Sequence, residues 1–241
     1  MRPLILLTGA SGGIGEALVQ ELATYGDMIL QGRNLERLEF LASLVEKTSL
    51  GTSRAQIWVQ DLADLTSLKR HLASLPPASV FIHAAGQPLY ASFLNTEETA
   101  WDAIFNVHLK SAYLIIQKLL PHMLTRRYGR IIFVSSLWGT VGSAGEVAYA
   151  SAKGAVNALV RSLAQEVAGT GVTVNAVAPG AVATQMVHHY LDADALRSLK
   201  EKIPVGRLAQ PSEIAHLIRF LVEQSSDYLT GEIIGMHGGL H

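Results

Sequence analysis

Short aliphatic and β-branched runs alternate with longer helix-period stretches along the whole chain, and that alternation leaves few folds open. Seven runs read as strands: Leu4–Leu7, Met28–Leu30, Gln56–Val59, Val80–His83, Arg130–Val134, Val172–Val177 and Glu232–Met236. Between them Ile14–Tyr25, Leu35–Lys47, Leu65–Leu75, Glu97–Leu124, Ala148–Ala168 and Ser212–Glu223 carry apolar residues at helical spacing. This repetition predicts an α/β fold: one doubly wound, Rossmann-type domain over all 241 residues, with a seven-stranded parallel sheet and helices on both faces. One stretch, Pro179 to Pro204, breaks the rhythm and has no strand. Long connections in compact domains are usually functional, and one that follows the sixth strand lies over the ligand crevice of such sheets; it is read as a substrate lid.

Charged residues make up only 16% of the chain, against about 25% in average soluble proteins. A surface so poor in charge is expected to be partly hidden between subunits. A net charge of -1 and a pI near 6.8 supply no global field for nucleic acid or an anionic membrane. The absence of cysteine excludes disulfides, thiolate metal sites and cysteine nucleophiles. The apolar stretch near the start ends at Thr8, too short for a secretory segment, and no run is long enough to span a bilayer. The cytoplasm is the expected compartment.

Between the first strand and first helix lies Thr8-Gly-Ala-Ser-Gly-Gly-Ile-Gly15. Gly9, Gly13 and Gly15 let the backbone turn tightly and approach a pyrophosphate, with the helix amino terminus facing its charge. A plain strand-to-helix turn needing positive φ is the alternative. After the second strand, an acidic residue would bind a ribose diol and repel a 2'-phosphate, but this chain has Gln31-Gly32-Arg33-Asn34. Arg33 favours NADP(H) unless it merely begins the next helix or pairs with Glu36. Asp61, after the third strand, either accepts from an adenine amino group or caps the following helix.

Tyr149 and Lys153 stand four residues apart, with Ser136 thirteen residues upstream of the tyrosine. On a helix that spacing puts phenol and ammonium on one face. Moving a tyrosine pKa from about 10 to about 7 takes about 4 kcal/mol, and a unit charge about 5 Å away contributes about 3 kcal/mol at an effective dielectric near 20. Lys153 and a positively charged nicotinamide ring are therefore expected to make Tyr149 a proton donor for a carbonyl. A packed aromatic beside a snorkelling lysine is the alternative.

Taken together, Thr-Gly-x-x-x-Gly-x-Gly at Thr8–Gly15, Ala84-Ala85-Gly86, Asn106, Ser136, Tyr149-x-x-x-Lys153, and Pro179-Gly180 followed by Thr184 resemble the short-chain dehydrogenase/reductase family over essentially the whole chain. The resemblance implies that Tyr149 protonates the substrate oxygen while nicotinamide delivers hydride. It further implies that Lys153 lowers the phenol pKa and binds the ribose, that Ser136 holds the carbonyl oxygen, and that Asn106 positions a water that reprotonates the site through Lys153. Ser135 competes with Ser136, but the spacing to Tyr149 in the family pattern favours Ser136. Cofactor contacts are implied at Thr8, Gly9, Ser11, Gly13, Ile14, Gly15, Arg33, Asp61, Leu62, Ala84, Ala85, Gly86, Tyr149, Lys153, Pro179, Gly180, Val182 and Thr184.

Two departures stand out: His83 replaces the family's asparagine before Ala-Ala-Gly, and Gly12 replaces a basic residue common in NADP-preferring relatives. His83 is expected to take over the asparagine's structural hydrogen bonds and to make stability sensitive to pH. The stretches Ser136–Gly142, Val172–Gly180, Ile203–Leu208 and Tyr228–Glu232 look most like 3-oxoacyl-acyl-carrier-protein reductases of fatty acid biosynthesis. Arg126, Arg127 and Arg130 would then dock the acidic carrier, although Thr170 stands where the family has a second docking arginine, and the cluster also suits a solvated helix end.

A reductase of another ketone, sugar, steroid or secondary alcohol, and a nucleotide-binding regulator without turnover, stay open. His188 and His189 lack a third ligand, so no metal is expected. A dimer or tetramer is implied by resemblance, with Ala152, Ala155 and Ala158 permitting close helix contact.

Overall fold

The computed structural model describes residues 2–185, 187 and 192–240. Seven strands form one sheet in the order β3-β2-β1-β4-β5-β6-β7, all of whose pairs are parallel. They are β1 (Leu4–Thr8), β2 (Asp27–Gly32), β3 (Ala55–Val59), β4 (Val80–His83), β5 (Gly129–Val134), β6 (Val172–Pro179) and β7 (Ile233–Met236). Strand order reverses between β1 and β4, so the two neighbouring connections leave on opposite faces and open a crevice at the strands' carboxyl ends.

Alternation along the strands divides the core in two. On one face Leu6, Phe81, Phe133 and Val174 pack against Leu68 of α3 (Leu65–Leu72), Ile115 and Leu119 of α5 (Ser111–Arg126) and Val156 of α7 (Val147–Glu166). On the other, Ile5, Leu7, Val80 and Ile82 pack against Leu18 of α1 (Gly13–Leu22), Leu38 of α2 (Leu35–Thr48) and Ile218 of a carboxyl-terminal helix, α9 (Pro211–Glu223). Each helix end that matters to the crevice has a local reason to begin where it does. Asn34 caps α2 by accepting from the Arg37 amide, and Asp64 caps α3 by accepting from Thr66 and Ser67.

Two expectations change here. The single helix expected over Glu97–Leu124 is α4 (Glu98–Phe105), a π-helical turn over Asn106–Lys110, and α5. A π turn inserts an extra residue and rotates the side chains beyond it, and such turns concentrate at functional sites. Within Pro179–Pro204 the structure contains a helix, α8 (Ala193–Lys202), and Val182 bridges Ala209 in parallel, fixing the segment's base beside the crevice. His188 and His189 lie outside the described residues.

Candidate active site

The glycine turn is shaped by close backbone approach. Gly9 has φ +72°, and a Cβ there would lie 2.6 Å from the Ala85 backbone. A Cβ on Gly15 would lie 2.1 Å from the Gly9 carbonyl oxygen, and one on Gly13 2.7 Å from Thr184 Cγ2. Three segments carrying sequence-predicted contacts are thereby drawn together: Thr8–Gly15, Ala84–Gly86 and Thr184. Gly12 leaves α1 without a side-chain cap, so its first-turn N–H groups face the crevice free for an anion. This cradle fits the pyrophosphate of a dinucleotide.

Thr8 and His83 are neighbours in register, and the Thr8 hydroxyl lies 2.8 Å from His83 Nδ1. His83 Nε2 lies 3.1 Å from the Val107 carbonyl oxygen. The tautomer with hydrogen on Nε2 satisfies both: it donates to Val107 and accepts from Thr8. Burial, then the nearby Lys153 charge, push the His83 pKa down to about 3. His83 thus ties β1, β4 and the π turn together as a neutral ring.

Arg33 is exposed and lines a cleft of about 310 Å³ with Val59, Gln60, Asp61, Asp64 and Ser67. It precedes the α2 cap rather than opening the helix, and no ion pair holds it among the described residues. Asp61 does not cap α3, because Asp64 takes that place; its carboxylate accepts from the Ala63 amide and borders the same cleft. Leu62 and Val182 point into the core instead, leaving only their backbone for a ligand. Pro179 accepts from the Leu137 amide, and Gly180 donates to Met236.

Beyond β5 the two serines separate. Ser135 donates to Asn157 Oδ1 at 2.6 Å, a buried structural contact. Ser136 Oγ accepts from the Trp138 amide at 3.1 Å and lies close enough to the Tyr149 phenol to lower its pKa. Asn157 in turn donates to the Gly139 carbonyl, while Gly139 lies so close to Lys153 that a Cβ would come within 2.7 Å of its backbone. The short helix α6 (Trp138–Val141) is thereby clamped on α7, which fixes Ser136 relative to Tyr149.

Lys153 is 4% exposed. Its Nζ donates to the Val134 carbonyl at 2.7 Å and lies 5.7 Å from the Tyr149 ring centroid. The expected direction of the phenol's shift is corrected: burial drives the Tyr149 pKa up to about 12, Ser136 opposes this, and Glu146 and Tyr90 add to it. Burial also pushes the Lys153 ammonium down to about 7. Desolvation of the charged form is the largest cause of both shifts.

Asn106 opens the π turn, and its amide donates to the Ala63 carbonyl at 3.4 Å; the π-turn side chain that meets the Tyr149 ring is His108, with ring centroids 5.3 Å apart and planes at 86°. The sequence reading missed His108, although it stands four residues after the buried Ile104 and hence on the helix's inward face.

The arginine cluster separates as well. Arg130 is buried, paired with Asp227 at 2.9 Å and stacked on Tyr128, so it is withdrawn from any docking surface. Among the described residues no helix is long and apolar enough to cross a membrane.

Known proteins match this arrangement along nearly the full chain. The family model for short chain dehydrogenase matches residues 3–195. An uncharacterized oxidoreductase of Bacillus subtilis, YmfI, is 35% identical over 243 residues, covering 100% of both chains. The 3-oxoacyl-acyl-carrier-protein reductase FabG of Thermotoga maritima is 34% identical, covering 98% of this chain and 96% of its own. Among solved structures, the 3-oxoacyl-acyl-carrier-protein reductase of Agrobacterium tumefaciens with NADP bound superposes with a TM-score of 0.90 at 25% identity, covering 98% of this chain and 93% of that one.

Proposed function

The chain belongs to the short chain dehydrogenase family, and on that premise we propose that it is an NADP(H)-dependent carbonyl reductase acting on the keto group of a 3-oxoacyl thioester. The observation that carries this reading is the close group of Ser136, Tyr149 and buried Lys153 beside the glycine cradle. Relatives named as 3-oxoacyl-acyl-carrier-protein reductases support the thioester, and the NADP bound in the Agrobacterium structure supports the cofactor.

When bound, the reduced dinucleotide supplies hydride to the carbonyl carbon. The chain's own residues do the rest. Amide groups at the start of α1 hold the pyrophosphate, and Arg33 pairs with a 2'-phosphate. Ser136 and Tyr149 donate hydrogen bonds to the carbonyl oxygen, stabilising the negative charge that grows there. Tyr149, with its pKa raised to about 12, is fully protonated at neutral pH and gives its proton to that oxygen. Lys153, lowered to about 7, is the group poised to trade protons with solvent near neutrality. As the phenol ionises, the charge on Lys153 becomes its nearest compensation.

The whole chain is proposed to act as one dinucleotide-binding unit within an oligomer. Ala152 is buried inside the chain, whereas Ala158 faces outward, so only the latter side of α7 is open to a second subunit. Carrier-protein docking, if it accompanies the reaction, falls to Arg126 and Arg127 without Arg130.

NADPH consumption against a panel of 3-oxoacyl thioesters and simple ketones tests the assignment. Thioesters are expected to be reduced with the higher kcat/KM; preference for simple ketones contradicts the substrate, and no turnover of any carbonyl contradicts the activity. Arg33→Ala is expected to reduce the NADPH:NADH preference about tenfold to a hundredfold, the worth of one charge-assisted contact. An unchanged ratio in steady-state kinetics removes Arg33 from the cofactor site.

A further inference from the structure

Resting on the carbonyl-reductase reading but not on the thioester, we infer that Glu146 is a specificity-determining residue that receives a positively charged hydrogen-bond donor, an ammonium group, carried by the substrate. Glu146 stands immediately before α7 and three residues before Tyr149, a spacing that puts both side chains on one side of the first helical turn. The phenol feels its charge: Glu146, with Tyr90, adds to the rise of the Tyr149 pKa.

The surrounding chain holds this carboxylate at the site. Gly142 (φ +77°) and Gly145 (φ +78°) turn the loop between α6 and α7, and the segment after β4 fastens it: the Ala91 amide donates to the Gly145 carbonyl at 2.9 Å, and Ala91 pairs with Glu146 in a parallel bridge. Glu146 is left only 9% exposed. Helix capping does not account for it, because its side chain accepts no capping hydrogen bond from α7, and an exposed carboxylate would serve the helix dipole equally well. Its Oε1 accepts from the Ser143 hydroxyl at 3.1 Å. No cation pairs with it among the described residues. Glutamates are almost never buried without a charged partner, and the partner this one lacks is a cation.

The chemistry next to Glu146 explains why the cation comes with the substrate. Carbonyl reduction builds negative charge on the substrate oxygen and then on the Tyr149 phenolate, and an uncompensated carboxylate beside them opposes both. An ammonium group on the bound molecule cancels that opposition, so a single contact aids recognition and the rise to the transition state together. Its N–H groups give charge-assisted hydrogen bonds to the carboxylate. Burial raises the Glu146 pKa, with Ser143 opposing, and a seated cation lowers it again by favouring the charged form. The same carboxylate repels a substrate ending in an anion. Glu146 takes no part in the proton transfer, which stays with Tyr149.

The test compares three series of ketones of increasing chain length, ending in a dimethylammonium, an isopropyl or a carboxylate group. The tertiary amine cannot close onto its own carbonyl as an imine, and the isopropyl group is its neutral isostere. NADPH consumption is measured at about pH 8, below the range in which alkylammonium groups lose their proton. At the best chain length, wild-type kcat/KM is expected to be about tenfold to a hundredfold higher for the ammonium ketone than for its isostere, the worth of one charge-assisted contact. Carboxylate-ended ketones are expected to be the poorest. Glu146→Gln, which keeps the shape and removes the charge, is expected to bring that ratio to within about threefold of one and to speed reduction of the neutral ketone; loss of a merely structural contact would slow both substrates alike. A wild-type ratio near one, or a preference for the carboxylate series, overturns the inference while leaving the reductase reading in place. A preference undiminished in Glu146→Gln removes Glu146 from substrate recognition. Wild-type protein that reduces no carbonyl, 3-oxoacyl thioesters included, overturns both readings. If Glu146→Gln does not fold, the ranking of the three series by the wild-type protein decides.

Discussion

Lys153 is 4% exposed, and burying its ammonium has a measurable cost. Its pKa falls from an ordinary value near 10.5 to about 7 in the folded chain. Between those values the unfolded chain binds more protons, so stability rises with pH across that window; below it both states are charged and the penalty is fully present. Lys153→Met is therefore expected to be more stable than wild type at pH 7 by about 2–4 kcal/mol, part of the shift being offset by the lost Val134 hydrogen bond. The advantage should shrink towards zero by about pH 10, as free lysine loses its proton. Urea unfolding at both pH values checks this; a variant less stable at pH 7 contradicts the account of the buried ammonium. His83 follows the same sign at lower pH, with stability falling as pH drops from the ordinary histidine range towards about 3.

At this scale the sequence was informative about residue type but not about direction. Four-residue spacing put Tyr149 and Lys153 on one face, yet burial is a property of the packed sheet, and it reversed the expected shift of the phenol. Ser135 and Ser136 are adjacent; spacing to Tyr149 favours Ser136, and the Asn157 contact shows why Ser135 is the structural hydroxyl.

Among the elements, the glycine turn was the most legible because its constraint is local. A strand, a tight turn and a helix must meet within eight residues, Thr8 to Gly15, and backbone contact at Gly15 leaves no space for a side chain. Gly15→Ala is expected to lower stability by about 3 kcal/mol or more and to abolish measurable NADPH binding, since the added carbon would sit 2.1 Å from the Gly9 carbonyl oxygen. Denaturation and cofactor titration on the same preparation check it; wild-type behaviour in both would mean that the turn is looser than described. The π turn was illegible for the opposite reason. Apolar residues run on from Ile104 and Val107 to Ala112 and Ile115 without a Gly or Pro break, so a periodic reading joins α4 to α5 across the five-residue step after Val107. The extra residue appears only once Val107 and His108 are both seen to be buried, one carbonyl holding His83 and one ring against Tyr149.

For the whole molecule, strand–helix alternation specified a parallel sheet and therefore a carboxyl edge where β1, β4, β5 and β6 all deliver their site residues. Reversal of strand order between β1 and β4 does the positioning: Gly9 and Ala85 approach from neighbouring strands, and Ser136 follows one strand further along. Substrate identity and subunit number were not legible in this way, because both depend on surfaces whose partners lie outside the chain. Arg130 illustrates the difficulty, for a basic residue in sequence became a buried ion pair with Asp227, 97 positions away.

The central claim is that Tyr149 supplies the proton for carbonyl reduction, and Tyr149→Phe removes one oxygen while keeping the ring against His108. Single-turnover NADPH oxidation with a 3-oxoacyl thioester is predicted to slow by about a hundredfold to ten-thousandfold, with NADPH affinity essentially retained. A Tyr149→Phe protein that reduces the thioester at the wild-type rate would contradict it.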